Sequence, residues 1–205
     1  MPSVTVPAER VERWVANFSA RHGATALRVA DGALAGTAED GSAFAARLPF
    51  GASYDGPADV QAFVAAVSPP DDWGVLLVRK GGFAVARLSG TTTTESKVGQ
   101  RHVQGRTKAG GQSQQRFARR RDNQARQAYE AAAEHAARIL SGLRGPLVAG
   151  GDRAAIDEVL ADPRLRSLTP TGTLLPVPDP RRGVLEQAVR DACAVAIAVE
   201  NAQPQ

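Results

Sequence analysis

The sequence predicts a mixed α/β fold in which helices flank sheets. Apolar residues recur at helical spacing in several segments, and short apolar runs elsewhere are joined by Asp-Gly and Gly-Gly turns. The chain has 205 residues, of which 43% are hydrophobic and 22% charged. That composition is typical of a globular protein with one large core or two small ones.

The first part of the chain predicts a small subdomain of helix and hairpins. Apolar residues follow three- and four-residue intervals at Val11, Trp14, Val15 and Phe18. Gly23 closes this pattern, so residues 7–22 are predicted as an amphipathic helix. The Asp-Gly pairs at 31–32 and 40–41 then predict hairpin turns. A second helix ends at Pro69-Pro70, which is interpreted as a linker.

The second part predicts a hairpin, a long helix and a further α/β segment. From Trp73, two apolar strands join around Lys80-Gly81-Gly82, and the threonine-rich tract after them is expected to extend from the core as a ribbon. Helical spacing resumes at Ser113, a favourable N-cap, and ends at Ser141-Gly142. Residues 145–199 then predict strand, helix, strand and helix, which completes the α/β class.

The positive charge of the chain is concentrated in one segment. The net charge is +4, yet residues 101–126 contain eight Lys or Arg against one acid, so the rest of the chain is mildly acidic. A solvated helix face is the ordinary explanation for scattered charges. Here no acidic partners stand at i+4 spacing to neutralise the bases, which favours binding to nucleic-acid phosphates.

Several function classes are not expected from this sequence. No window approaches the roughly 20 apolar residues of a membrane span, and the N-terminus lacks a secretory pattern, so the protein is expected in the cytoplasm, without a membrane partner. Cys193, the single cysteine, is interpreted as a small buried hydrophobe. The three histidines, at 22, 102 and 135, are too scattered for a metal site. No Walker loop appears, and no cofactor is expected.

The segment GGQSQQRFARRR, at residues 110–121, carries a resemblance to a known family. It resembles the catalytic middle domain of the eukaryotic and archaeal peptide-chain release factors, whose motif is a Gly-Gly-Gln loop, a serine and an Arg-Phe-Ala-Arg helix start. The matching positions are Gly110, Gly111, Gln112, Ser113, Arg116, Phe117, Ala118 and Arg119. The similarity spans about Trp73 to Val199 and is greatest to the Vms-like release factors, in a bacterial form of actinobacterial type.

The resemblance implies a fold, a division into domains and a function. It implies a middle-domain-like core with a protruding loop at 105–113 and a long basic helix. Residues 1–72 would form an N-terminal helix and hairpin subdomain, residues 73–200 the catalytic domain, and residues 201–205 a tail. No codon-reading or GTPase-recruiting domain is expected in this length. The implied function is therefore codon-independent hydrolysis of peptidyl-tRNA in ribosome rescue, by a monomer that binds the large subunit, its rRNA and peptidyl-tRNA.

The residue chemistry supports the same reading. The Gln112 side chain has no usable pKa, but its amide both accepts and donates hydrogen bonds, so it suits orientation of water. Gly110 and Gly111 allow the backbone to enter a crowded site. The residues expected to hold RNA phosphates are Arg106, Lys108, Arg116, Arg119, Arg120 and Arg121.

Two other functions remain open from the sequence. The same domain could cut tRNA near its 3′ end on stalled complexes instead of hydrolysing the ester. Alternatively, the chain could be a non-catalytic module that binds rRNA or tRNA, with Gly-Gly-Gln as a connector.

Overall fold

The computed structural model describes residues 3–100 and 112–202, with side chains for residues 3–100 and 126–202. The strands are β1 Ser3–Val6, β2 Thr25–Ala30, β3 Ala33–Ala38, β4 Ala43–Arg47, β5 Trp73–Arg79, β6 Gly82–Ser89, β7 Thr92–Gln100, β8 Leu147–Gly151 and β9 Val195–Glu200. The α-helices are α1 Ala8–His22, α2 Val60–Ala65, α3 Gln112–Ile139, α4 Arg153–Leu160 and α5 Arg182–Ala192. This content confirms the predicted mixed α/β class.

The chain divides into two compact units. The first unit contains Met1–Pro69 and Arg190–Gln205, and the second contains Pro70–Val189. The sequence predicts a later domain that extends to residue 200. Strand β9 instead lies between β1 and β4 in the sheet of the first unit.

The sheet of the first unit is antiparallel throughout and has the strand order β1-β9-β4-β3-β2. The β2–β3 hairpin turns at Asp31-Gly32, where φ is 51° and 69°, as a type I′ turn requires. After β3, the Asp40 carboxylate accepts a hydrogen bond from the Ser42 backbone N–H at 2.8 Å. Both predicted Asp-Gly turns are therefore confirmed.

Helices α1 and α2 cover one face of this sheet. Their buried apolar residues and those of the sheet form one cluster that includes Val11, Val15, Phe18, Leu34, Phe44, Phe63 and Ile197. Phe44 meets Phe18 edge-on, with ring centroids 5.1 Å apart. A Cβ at Gly36 would overlap the Phe44 ring, so glycine is required there for the packing of the aromatic core.

The second unit has a four-stranded sheet with the order β7-β6-β5-β8. Strands β5, β6 and β7 form an antiparallel meander, whereas β8 runs parallel to β5. The first turn of the meander falls at Lys80-Gly81, as predicted. Strand β7 lies at one edge of this sheet, and most of its residues are exposed.

Helices α3 and α4 pack against one face of this second sheet. The shared core contains sheet residues such as Leu76, Val78 and Val85, together with Ala136 and Ile156 from the helices. The long helix predicted from alanine spacing is confirmed, and Gly142, with φ of 65°, follows its end.

The C-terminal third of the chain differs from the prediction at two places. Of the two strands predicted in residues 145–199, the second does not form as a regular strand among the described residues, and Leu175 makes only an isolated bridge to Gly150. Pro176 and Pro178 each lack the backbone N–H that a ladder needs, which explains this difference. The prediction that the final apolar run is helical is wrong, because α5 ends at Ala192 and the strand β9 follows it.

Candidate functional site

Helix α3 is anchored by its C-terminal part. Among the side chains described from Arg126 onward, the buried ones are Ala128, Tyr129, Ala132, Ala133, Ala136 and Ile139. Gln112, the first residue of the helix, stands 16 residues before Ala128, which is about 24 Å along the axis at 1.5 Å per residue. The burial of the C-terminal part fixes the axis of a helix whose first residue is the predicted catalytic glutamine.

One arginine fastens the C-terminal end of α3 to the sheet. Arg87 donates to both carboxylate oxygens of Asp72, at 2.8 and 3.1 Å, and to the Ser141 carbonyl at 2.7 Å. The Arg144 backbone N–H donates to the same carboxylate at 3.0 Å. The hydrogen bond from Arg87 is the main reason that the pKa of Asp72 is lowered, although burial opposes it. The network joins β6, the residue before β5 and the residues that follow α3.

Two side-chain contacts join α3 to strands β6 and β7. Arg138 of the helix pairs with Glu95 of β7. His135 stacks on Phe83 with ring centroids 5.6 Å apart and planes 26° apart. A Cβ at Gly99 of β7 would overlap the same Phe83 ring. The strand, the phenylalanine and the helix are therefore packed without spare room where β7 nears its end.

The direction of α3 follows from its contacts at the two ends of the sheet. His135 contacts Phe83, at the start of β6, and Leu140 approaches Gly74, at the start of β5. The helix therefore runs antiparallel to β5, and its N-terminal half continues past the end of the sheet that holds the β5–β6 turn. Gln100, the last residue of β7, pairs with Gly82, so β7 also ends at this end of the sheet.

Arg79 ties three segments together at this end of the sheet. Its Nη1 donates to the Val177 carbonyl at 2.9 Å, its Nη2 lies 3.6 Å from the Asp152 carboxylate, and its Nε lies 4.0 Å from that of Asp179. The Asp152 backbone N–H also donates to the Val78 carbonyl at 2.9 Å. The β5–β6 turn, the start of α4 and the segment before α5 are consequently held as neighbours.

The sequence-predicted site residues fall in three classes. Gln112 begins α3, so Ser113 lies inside the helix and is not the N-cap that the sequence predicts. The four predicted RNA-binding arginines at 116 and 119–121 lie within the helix, but their side chains are not among the described ones. Gly110, Gly111, Arg106 and Lys108 lie outside the described residues.

An open groove of about 560 Å³ lies between α3 and the segment from α4 to Arg164. Its charged lining residues are Arg126, Glu130, Glu134, Glu158, Asp162 and Arg164. Hydrogen bonds from Arg164 lower the pKa of Asp162 to about 2. Tyr129 also lines the groove, and burial, followed by the charges of Asp152 and Glu158, raises the pKa of Tyr129. The excess of carboxylates makes this groove a poor surface for phosphate.

Other reactive groups add no second site among the side chains that the structure describes, those of residues 3–100 and 126–202. No three His, Cys, Asp or Glu side chains in those ranges are grouped so as to hold a metal ion. Cys193 is half-buried, and burial raises the pKa of its thiol, which disfavours the reactive thiolate. Of the described helices, none is both long and apolar enough to cross a membrane.

In the comparison with known families, a family model matches residues 71–198, which is more than half of the chain. The matching family model is that of the Actinobacteria/chloroflexi VLRF1 release factor. No curated protein matches the sequence significantly. The matched range begins just before β5 and ends within β9.

Proposed function

The chain belongs to the Actinobacteria/chloroflexi VLRF1 release factor family, and from that membership we propose that it is a codon-independent peptidyl-tRNA hydrolase. Its function is release-factor-like and associated with the ribosome. The proposed reaction frees nascent peptides from stalled ribosomes or from large subunits. The observation that carries this proposal is the start of the anchored helix α3 at Gln112, directly after Gly110-Gly111 in the sequence.

The proposed chemistry is hydrolysis of the ester between the peptide and the terminal ribose of tRNA. Water attacks the ester carbonyl carbon, the bond from that carbon to the ribose oxygen breaks, and the ribose oxygen takes up a proton. The peptide leaves as a carboxylic acid. Gln112 orients the water through its side-chain amide or stabilises the developing oxyanion through its backbone N–H.

The location of Gln112 at a helix N-terminus supports this role. The first backbone N–H groups of a helix lack intrahelical partners, and the helix dipole places a partial positive charge there. Both features favour the negative charge that develops on the ester oxygen. Orientation of the reacting groups can itself be a large effect, since favourable positioning can lower a barrier by roughly 7 to 11 kcal/mol.

The basic residues on either side of Gln112 are proposed to bind RNA. These residues are Arg106, Lys108, Arg116, Arg119, Arg120 and Arg121. Each neutralised phosphate releases condensed counterions, so the affinity should be strongly salt-dependent. Helix α3 includes Arg116 and the arginines at 119–121 in the half that precedes the anchored Ala128.

The test is a product analysis with doubly labelled peptidyl-tRNA. One label is placed on the peptide and the other on the 5′ end of the tRNA. The purified protein is then incubated with stalled ribosomes, with large subunits that carry the labelled molecule, and with free peptidyl-tRNA. We expect free peptide and full-length tRNA that can be charged again.

The same measurement separates the two alternatives. Cleavage near the 3′ end would leave a shortened tRNA and a peptide still joined to nucleotide, and would replace ester hydrolysis by nuclease activity. A binding module would leave both labels on one intact molecule in all three arms. Either result would reject the proposed hydrolase activity.

A further inference from the structure

We propose that Lys80, Arg153 and Arg181, here named the sheet-end cations, bind the phosphate backbone of ribosomal RNA as a second contact surface. This inference rests on the proposed function for the identity of the partner. The three residues are separated by more than 70 and by 28 positions in the sequence, so no basic run marks them. The fold brings their three segments together.

The three segments meet around Arg79. Lys80 follows Arg79 in the β5–β6 turn, Arg153 follows Asp152, and Arg181 comes two residues after Asp179. The Arg79 guanidinium lies within 4.0 Å of both aspartates. A Cβ at Gly81 would lie 2.9 Å from the Asp179 carboxylate, which shows how closely the turn and the third segment pack.

Arg79 also decides which charges are available to a partner. Both nearby aspartates face its guanidinium, which offsets one of their two negative charges, so the three sheet-end cations leave this end of the sheet with a net positive charge. Arg182 is paired with Glu186 at 3.2 Å. Across the part of the chain that the structure describes, the ion pairs at this end of the sheet involve none of the sheet-end cations, and all three are exposed.

The location of these cations indicates the partner. They lie at the end of the sheet past which α3 continues, whereas the groove between α3 and α4 is acidic. Under the proposed function the protein acts on the large subunit, so the phosphate-bearing partner proposed for this surface is ribosomal RNA. Cations on three neighbouring segments suit its backbone, which presents charges at regular spacing.

The test measures binding to vacant large subunits, without tRNA, at several salt concentrations. The variant is Lys80→Ala/Arg153→Ala/Arg181→Ala, and the matched control is Arg10→Ala/Arg13→Ala/Arg21→Ala, which removes three exposed arginines of α1. The slope of log affinity against log salt should become shallower by about 2 to 3 for the variant and stay unchanged for the control. Thermal unfolding of both proteins checks that they are folded.

A charge-conserving variant and a second substrate state complete the test. Lys80→Arg/Arg153→Lys/Arg181→Lys should restore the slope if phosphate binding is responsible. An unchanged slope in the alanine variant would overturn the inference, as would a change seen only on subunits loaded with peptidyl-tRNA. Peptide release by the wild type is measured in parallel. If the wild type releases no peptide, the hydrolase proposal is rejected. The slope comparison would still test the sheet-end cations, because it measures binding and not peptide release.

Discussion

Asp72 illustrates how a single carboxylate secures the base of α3. It accepts hydrogen bonds from the Arg87 side chain and from the Arg144 backbone, and its pKa is lowered as a result. A carboxylate with a lowered folded-state pKa contributes its full stability above its unfolded pKa, about 3.9 for aspartate. That contribution is lost as the pH falls through the lower, folded value.

We therefore predict that Asp72→Asn destabilises the protein at pH 7 by about 1 to 3 kcal/mol, because charge-assisted hydrogen bonds are lost. The difference from the wild type should shrink at about pH 3, where the wild-type carboxylate is also losing its charge. Urea unfolding at both pH values measures this, with the exposed neighbour substitution Asp71→Asn as control. An equal difference at both pH values would contradict the proposed ionic role.

Gly99 is a residue whose identity is set by an aromatic ring. We predict that Gly99→Ala costs about 1 to 3 kcal/mol of stability, because the new methyl group overlaps Phe83 and the ring is packed against His135. Gly183→Ala in α5 is the matched control, since a Cβ there meets nothing within 4 Å. It should be neutral or stabilising by up to about 1 kcal/mol. Equal effects of the two substitutions in urea unfolding would refute the packing argument.

At the scale of elements, α3 was readable from the sequence. Its alanines recur at helical spacing, and Ser141-Gly142 marks its end, so both the helix and its C-terminus were predicted within two residues. Strand β9 was not predicted, although Val195 and Ile197 are buried while Ala196 is exposed. This alternation has the period of a strand. It is hard to recognise in the sequence because the intervening positions are alanines, which are also apolar, and because the run follows directly on a helix.

The basic half of α3 gives the prediction that belongs to this scale. Arg119→Ala/Arg120→Ala/Arg121→Ala should weaken binding to large subunits and make the salt slope shallower by about 2 to 3, because each lost phosphate contact removes roughly 0.9 for duplex-like RNA. The Arg10→Ala/Arg13→Ala/Arg21→Ala protein again serves as the control of equal charge. Identical slopes for both variants would show that these arginines form an ordinary solvated helix face and do not bind RNA phosphates.

At the scale of the whole chain, pairings between distant segments are what the sequence could not reveal. Strand β1 has four residues, three of them exposed, and its partner β9 begins almost 190 residues later. Nothing local in Ser3–Val6 specifies that pairing. The sheet-end cations were missed for the same reason, because their proximity depends on the parallel pairing of β5 with β8.

The motif, by contrast, was readable because it is local. Gly110, Gly111 and Gln112 are consecutive, and the arginines follow within ten residues. The family match over residues 71–198 confirms the release-factor resemblance that this motif carried. The roles of the individual residues stay predictions. The proposed hydrolase activity depends most on the Gln112 side chain.

The measurement that tests the central claim most directly is single-turnover peptide release by Gln112→Ala at saturating protein. We predict a rate reduced about a hundred- to a thousandfold, because the loss of one oriented hydrogen-bonding group raises a barrier by roughly 2.7 to 4 kcal/mol. Stability and the salt dependence of subunit binding should remain at wild-type values, and Gln61→Ala, at an exposed position of α2, should release peptide normally. Release by Gln112→Ala at the wild-type rate would contradict the assignment of Gln112 as the catalytic residue.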